Sequence, residues 1–294
     1  MISPIAKLKP DALDDVAKLI FERSHYPNEI MPACKDAHDV VAFLQTEPSA
    51  WSVLLSDRPL AIFKLQTLEH EATLDDFTVL SESAIQRIGP VLLRDLKDRG
   101  LKNVVLNVSE ELAPSLLNSG FQRTGVLLGF SIRAKETIFM PILPLTNPTQ
   151  KDSPALAKLM FESYAKSPKI NRLTNLPATE RYLKTVTSGI RGKFLPDASF
   201  ISITPGTGNV VSACLITSNS ADTAVIAEIF THPLYRTRGL ATTEIQSTMN
   251  FLVKYGIHHL SASIPEDHEA MRRLLSKLGM SESSRKVSVS KQIE

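Results

Sequence analysis

The residues best placed by type and spacing to do chemistry form one turn, Arg236-Thr237-Arg238-Gly239-Leu240-Ala241. It follows the apolar run AVIAEIFTHP (residues 224–233) and opens the helical pattern ATTEIQSTMNFLVKYG (residues 241–256). A strand that ends in a glycine turn and starts a helix points several backbone N–H groups at one place. The helix N-terminus adds about half a positive charge there. Such a corner suits a phosphate. Gly239 permits close approach or a left-handed dihedral, and Ala241 is small for the same steric reason. Arg236 and Arg238 bring charge that can turn to the anion or to solvent. Thr242 can add a hydroxyl at the helix start. Beside the turn, Glu228 is the acid within the apolar run. A carboxyl among apolar neighbours near a cleft tends toward a raised pKa and is a candidate proton acceptor. A substrate contact and a structural role are the other readings of Glu228. For His232, a proton relay and stabilisation of the turn are both open.

The elements that must hold this corner follow a regular order. HHLSASI (residues 258–264) reads as a strand. In EDHEAMRRLLSKLGM (residues 266–280), Ala270, Met271, Leu274, Leu275 and Leu278 keep helical spacing, and Gly279 is placed to end the helix. Upstream, the proline-rich PILPLTNPTQKDSP (residues 141–154) marks a boundary. After it, Asp152 or Ser153 can cap a helix whose apolar face includes Leu156, Leu159, Met160 and Tyr164. ATERYLKTVTSGI is a second helix. ASFISIT, NVVSACLIT and TAVIAEIFT are three strands. The first half repeats this plan weakly: DALDDVAKLIFERS and KDAHDVVAFLQ are helical, WSVLLS, PLAIFKLQ and ATLDDFTVL are strands, and SAIQRIGPVLLRDLKDRG, KNVVLNVSE and ELAPSLLNSGF follow as helix, strand and helix. Counted back from Gly100 and Gly256, Ser83 stands where Gly239 stands, and Glu82 beside it would repel a phosphate. Gln86-Arg87-Ile88-Gly89 falls inside the helix, where Pro90 removes an N–H.

Strand, R-x-x-G-x-A turn, helix, strand and glycine-ended helix together resemble the GNAT superfamily of acyl-CoA-dependent N-acetyltransferases. THPLYRTRGLA is similar to that family's T-x-P-x-Y-R-x-x-G-x-A, and LLSKLGM to its L-Y-x-K-x-G-F. The resemblance runs from Phe139 to Glu294. It implies an α/β (α+β) fold of two GNAT-like domains, each a mixed, mostly antiparallel sheet flanked by helices. Residues 1–138 would be a degenerate domain without the coenzyme A motif, and residues 139–294 the acetyltransferase domain. It implies acetyl-CoA as cosubstrate, held by Arg236, Thr237, Arg238, Gly239, Leu240, Ala241 and Thr242 at the pyrophosphate. Main-chain atoms of Ile229, Phe230 and Thr231 would hold the pantetheine arm. The acceptor would be a primary amine of a small molecule or peptide, attacking the thioester directly with Glu228 as candidate base. The chain departs from the family at Leu275, where a tyrosine often protonates the thiolate, and at Asp267, where an asparagine is frequent. A non-catalytic acyl-CoA-binding module is therefore the alternative reading. An aminoacyl-tRNA-dependent transferase is disfavoured by the presence of the turn.

Composition sets outer limits. The 294 residues allow about two domains. Residues 1–140 hold 15 Lys and Arg against 19 Asp and Glu, a balance of −4. The remainder holds 18 against 12, or +6, so the half with the turn is the one suited to a polyanionic cosubstrate. No basic cluster argues for nucleic acid, and no apolar run argues for a membrane span or a signal core. Cys214, in an apolar run, reads as a buried free thiol, and two distant cysteines make no metal site. His258 and His259 point to opposite faces of a strand and chelate poorly. The expectation is a cytoplasmic protein without a metal, with a homodimer left open.

Overall fold

The computed structural model describes residues 5–7, 13–17, 41, 51–55, 59–79, 82–164, 175–218 and 220–293. In chain order the first half holds β1 (Ala6–Lys7), β2 (Trp51–Leu55), β3 (Pro59–Leu68), β4 (Glu71–Val79), helix α1 (Glu82–Asp98), β5 (Asn103–Val108), helix α2 (Ala113–Asn118) and β6 (Gln122–Arg133). The second half holds β7 (Leu145–Thr146), helices α3 (Ser153–Tyr164) and α4 (Leu176–Thr187), then β8 (Lys193–Phe194), β9 (Phe200–Ile203), β10 (Val210–Ser218) and β11 (Thr223–Thr231). Helix α5 (Leu240–Lys254), β12 (His259–Pro265), helix α6 (Glu269–Lys277) and β13 (Ser281–Gln292) complete it. Among the described residues no helix is long and apolar enough to cross a membrane.

The elements assemble as two compact units. One comprises residues 1–129, 264–268 and 282–294, the other residues 130–263 and 269–281. These units differ from a division at 138/139 chiefly at the C-terminus. Strand β13 pairs antiparallel with β5, from Val287 opposite Val108 to Gln292 opposite Asn103. The chain's last strand thus completes the first unit's sheet.

In the first unit β2, β3 and β4 form an antiparallel meander, and β5 runs parallel to β4. A parallel neighbour requires a crossover, and α1 supplies it. Its residues Ala84, Ile85, Ile88, Leu92 and Leu96 recur at helical spacing and bury against Phe63, Leu74, Val104 and Leu106. Pro90 lies inside α1, as the sequence indicates, on an exposed position. Much of the segment read as DALDDVAKLIFERS and nearly all of KDAHDVVAFLQ fall outside the described residues, although residues 13–17 are helical.

The second unit repeats the arrangement. Strands β9, β10 and β11 are antiparallel, β12 is parallel to β11, β7 flanks β9, and β8 pairs with the end of β10. Successive strand residues face opposite sides of a sheet. On one side Ala213, Leu215 and Phe230 pack with Leu156, Met160, Leu183 and Val186 of α3 and α4. On the other, Ser212 and Cys214 lie under α5. Cys214 is buried and free, and burial pushes its thiol pKa up.

Local differences from the sequence reading have physical causes. Helix α3 is preceded by a 3-10 turn over Gln150–Asp152, closed by a reciprocal capping box between Thr149 and Asp152. Thr149 thus caps the 3-10 turn that leads into α3, with Asp152 as its partner. Asn175 caps α4 by accepting from the Ala178 N–H at 2.8 Å. The sequence reading carries no element at β6, although Val126, Leu128 and Phe130 are buried in alternation along it.

Candidate active site

The site is built where β11 leaves its parallel neighbour. Pairing with β12 runs from Thr223–His259 to Ile226–Ala262 and stops there, while β11 continues to Thr231. At the same point the antiparallel register with β10 slips: Leu215 opposes Glu228 and Ile216 opposes Ile226, so Ala227 is an extra residue. A bulge of this kind re-aims the side chain beside it. Glu228 shares its face with Phe230, toward α3 and α4.

There the carboxyl of Glu228 meets two phenols. Tyr164, at the end of α3, donates to Oε2 at 3.2 Å. Tyr182, in α4, donates to Oε1. Tyr164 also reaches the Ile229 carbonyl at 3.3 Å. Arg191 donates to the Tyr182 hydroxyl and its guanidinium lies 5.0 Å from the centre of that ring. By area Glu228 is only partly buried, but its carboxyl is enclosed by these side chains. Burial raises its pKa, and Arg191 and the two tyrosine hydrogen bonds oppose that rise. Burial, with Glu228 next, drives Tyr164 well above the ordinary phenol value. The cluster is a carboxyl group that accepts hydrogen bonds from two phenols. The sequence pattern marks neither tyrosine for chemistry and places Tyr164 only on an apolar helical face.

Beyond Thr231, residues Pro233–Tyr235 form a single 3-10 turn. His232 caps it, its Nδ1 accepting from the Leu234 N–H at 3.2 Å, which is the turn-stabilising role. Thr237 has a φ of 62° and Gly239 a φ of 83°, two left-handed residues in the same bend. Gly239 is the N-cap of α5 and offers no side chain, so no side-chain hydrogen bond closes the helix start. The first helical N–H groups of α5 are left for a ligand or solvent. A Cβ on Gly239 would stand 2.9 Å from Ile142 Cδ1.

The arginines flanking the bend differ. Arg236 is tied to main chain, donating from Nε to the Thr231 carbonyl at 3.3 Å and from Nη2 to the Ser163 carbonyl at 2.5 Å. It braces the strand end against α3. The Arg238 guanidinium lies 5.2 Å from the Tyr235 ring centre and is exposed. Leu240 is buried, and Ala241 and Thr242 are partly buried. Phe230 packs its ring in the core, while Ile229 and Thr231 remain partly accessible. Leu275 is fully buried and carries no proton donor, and Ser276 beside it is exposed.

This geometry can be set beside known proteins. Residues 169–280 match the acetyltransferase (GNAT) family. That match lies within the second half of the chain. The GNAT fold is shared with solved structures at low identity. A GCN5-related N-acetyltransferase from Sphaerobacter thermophilus superposes with a TM-score of 0.71 at 16% identity, covering 100% of this chain and 96% of that one. A tandem GNAT protein from the clavulanic acid biosynthesis pathway, in its form without AcCoA, gives 0.71 at 13%, covering 100% and 98%. A conserved protein of unknown function from Staphylococcus epidermidis gives 0.59 at 12%, covering 80% and 92%. No curated protein is similar enough in sequence to count as a relative. The GNAT family and fold support acyl transfer as the general activity.

Proposed function

We propose that the second half is an acetyl-CoA-dependent N-acetyltransferase acting on a primary amine of a small molecule or peptide. The observation that carries this reading is the placement of the Glu228 carboxyl on the stretch of β11 that has left β12, twelve residues before the uncapped start of α5. The residues present fit the cosubstrate. Backbone N–H groups from Arg238 to Ala241 would hold the pyrophosphate, with Thr242 adding a hydroxyl. Main-chain atoms of Ile229, Phe230 and Thr231 would pair with the pantetheine arm. Arg238 and Thr237 lie on the exposed side of the bend. Arg236 contributes its charge while bracing Thr231. When bound, acetyl-CoA supplies an activated thioester.

The chain's own groups then manage protons. Glu228 accepts the proton that the amine nitrogen sheds as it bonds to the acyl carbon, directly or through water. Tyr164 and Tyr182 orient the carboxyl for this step. Tyr164, hydrogen-bonded to Glu228, would be the neighbouring hydroxyl able to give its proton to a leaving thiolate and take one back from Glu228, a task Leu275 cannot perform. The free Cys214 thiol agrees with a reducing cytoplasm.

A second reading, an acyl-CoA-binding module without turnover, is favoured by Leu275. Thiol release from acetyl-CoA across a panel of small amines and peptides separates them. Turnover that falls about 10²- to 10⁴-fold in Glu228→Gln supports the enzyme. Tight binding of acetyl-CoA with no turnover on any amine supports the module.

A further inference from the structure

Under the phosphate turn lies a buried acid that acetyl transfer, as described, does not use. Glu244 sits in the second turn of α5 with none of its surface exposed. Ser202 of β9 donates to its Oε1 at 2.6 Å, and Ser212 of β10 lies 3.0 Å from its Oε2. Both serines are also fully buried. Ser212 Oγ in turn lies 2.8 Å from the hydroxyl of Thr231, at the last residue of β11, and 3.4 Å from the Phe230 carbonyl. The shorter contact is the stronger claim on its hydrogen. The first unit shows what this helix position takes when no such chain exists. Counted back from Gly256 and Gly100, Ile88 stands at the place of Glu244, and Leu92 at that of Thr248, both buried in an apolar core.

We propose that Glu244, Ser212 and Thr231 form a buried hydroxyl relay that decides whether Thr231 offers a hydrogen or only lone pairs to a thioester cosubstrate lying along β11. This rests on the coenzyme A reading of that strand and turn. The two states follow from counting hydrogens. With Glu244 ionised, Ser202 and Ser212 both donate to it. Thr231 then donates inward to Ser212, and only lone pairs face outward. With Glu244 neutral, its own hydrogen goes to Ser212, Ser212 donates to Thr231, and the Thr231 hydrogen points out to an acceptor. An anion at the head of α5 favours the neutral carboxyl one turn away. Cosubstrate binding and protonation of Glu244 therefore reinforce each other. Glu244 acts through Ser212 and is a positioning residue.

Burial lifts the Glu244 pKa to about 8, against the pull of Ser202 and Ser212, so the relay changes state in an accessible range. Facing groups from the packed elements are few. Strand β9 is neutral, and β10 contributes Cys214, itself shifted upward by burial and then by Glu244. Glu228 of β11 is on the opposite face, and Asp197, in the 3-10 turn against which α5 packs, is exposed.

The test is the dissociation constant of acetyl-CoA between pH 7 and 9, by calorimetry on the full chain. Acetyl-CoA has no free thiol to titrate, and its terminal phosphate is already ionised above pH 7. The constant is expected to rise up to about tenfold over this range, the most that one linked proton released near pH 8 allows. Glu244→Gln, whose amide donates to Ser212 and accepts from Ser202, keeps the pH 7 affinity and loses the slope. Thr231→Val loses roughly fivefold at pH 7, the worth of one hydrogen bond. A flat wild-type profile, or an unchanged slope in Glu244→Gln, overturns the relay. Absence of wild-type binding at every pH overturns the coenzyme A reading itself, and the relay with it.

Discussion

In the first unit β4 pairs with β5 only from Glu71 to Leu74 and runs on to Val79, and α1 begins at Glu82. In the second, β11 pairs with β12 only from Thr223 to Ile226 and runs on to Thr231, and α5 begins at Leu240. Both β4 and β11 have a register slip just past the parallel pairs, at Ile62–Lys64 opposite Thr78–Asp75 and at Leu215–Ile216 opposite Glu228–Ile226. The two units thus share a split sheet and differ in what joins strand to helix. Two residues, 80 and 81, connect the first pair, and eight, from His232 to Gly239, connect the second. The short link holds no glycine. The long one contains the left-handed pair Thr237 and Gly239 and leaves α5 uncapped. A split sheet is thus common to both, and the long glycine bend belongs to one. The polar lining follows the same division, with Glu244 against Ile88.

The comparison breaks first at Glu228. Gln at this position removes the proton acceptor while preserving volume, and a loss of about 10²- to 10⁴-fold in kcat, with little change in acetyl-CoA affinity, is expected from steady-state kinetics. Tyr164→Phe keeps the ring against Phe230 and deletes the bridge to the Ile229 carbonyl. A fall of roughly tenfold or more in kcat, with a shifted pH–rate profile, is its expected outcome.

Next comes stability against pH. The folded-state pKa of Glu244, about 8, lies above the ordinary carboxyl value of 4.5. Its contribution to stability is therefore fully present below pH 4.5 and is lost as pH rises toward and through 8. The loss approaches on the order of 1.4 kcal/mol per pH unit within that window. Burial raises the Glu228 pKa too, so it acts in the same direction. Thermal midpoints of wild type should fall between pH 6 and 8, and Glu244→Gln should flatten the curve in part. The smallest effects belong to Arg238→Ala and Glu82→Ala. Arg238 is exposed, so its loss should weaken acetyl-CoA binding only a few-fold, and more at low salt. Glu82, in the unit without the bend, should leave that affinity unchanged.

Much of this was open to sequence reasoning because it depends on local chemistry. The run TAVIAEIFT coincides with β11, since an apolar stretch between turn residues has few alternatives. The bend was visible because few residues besides glycine adopt a left-handed φ before a helix. The polar partners of Glu228 were not visible. Tyr164 and Tyr182 reach it across 64 and 46 residues, a matter of how α3 and α4 pack on the sheet. Nor was the burial of Glu244 evident, because the facing Ser202 and Ser212 come from two other strands. The destination of the last strand was equally tertiary: its alternation marks a strand but does not name β5 as the partner.

The most direct test of the central claim, that the bend from Arg236 to Thr242 receives coenzyme A, is calorimetric titration of acetyl-CoA into wild type and Ala241→Glu. Ala241 is helical and partly exposed, so the added carboxylate meets the incoming phosphates without the left-handed strain that a side chain at Gly239 would bring. Micromolar binding by wild type, lost by a hundredfold or more in a variant with an unchanged thermal midpoint, is the result this account predicts. Absence of wild-type binding, or equal affinity in the two proteins, would contradict it.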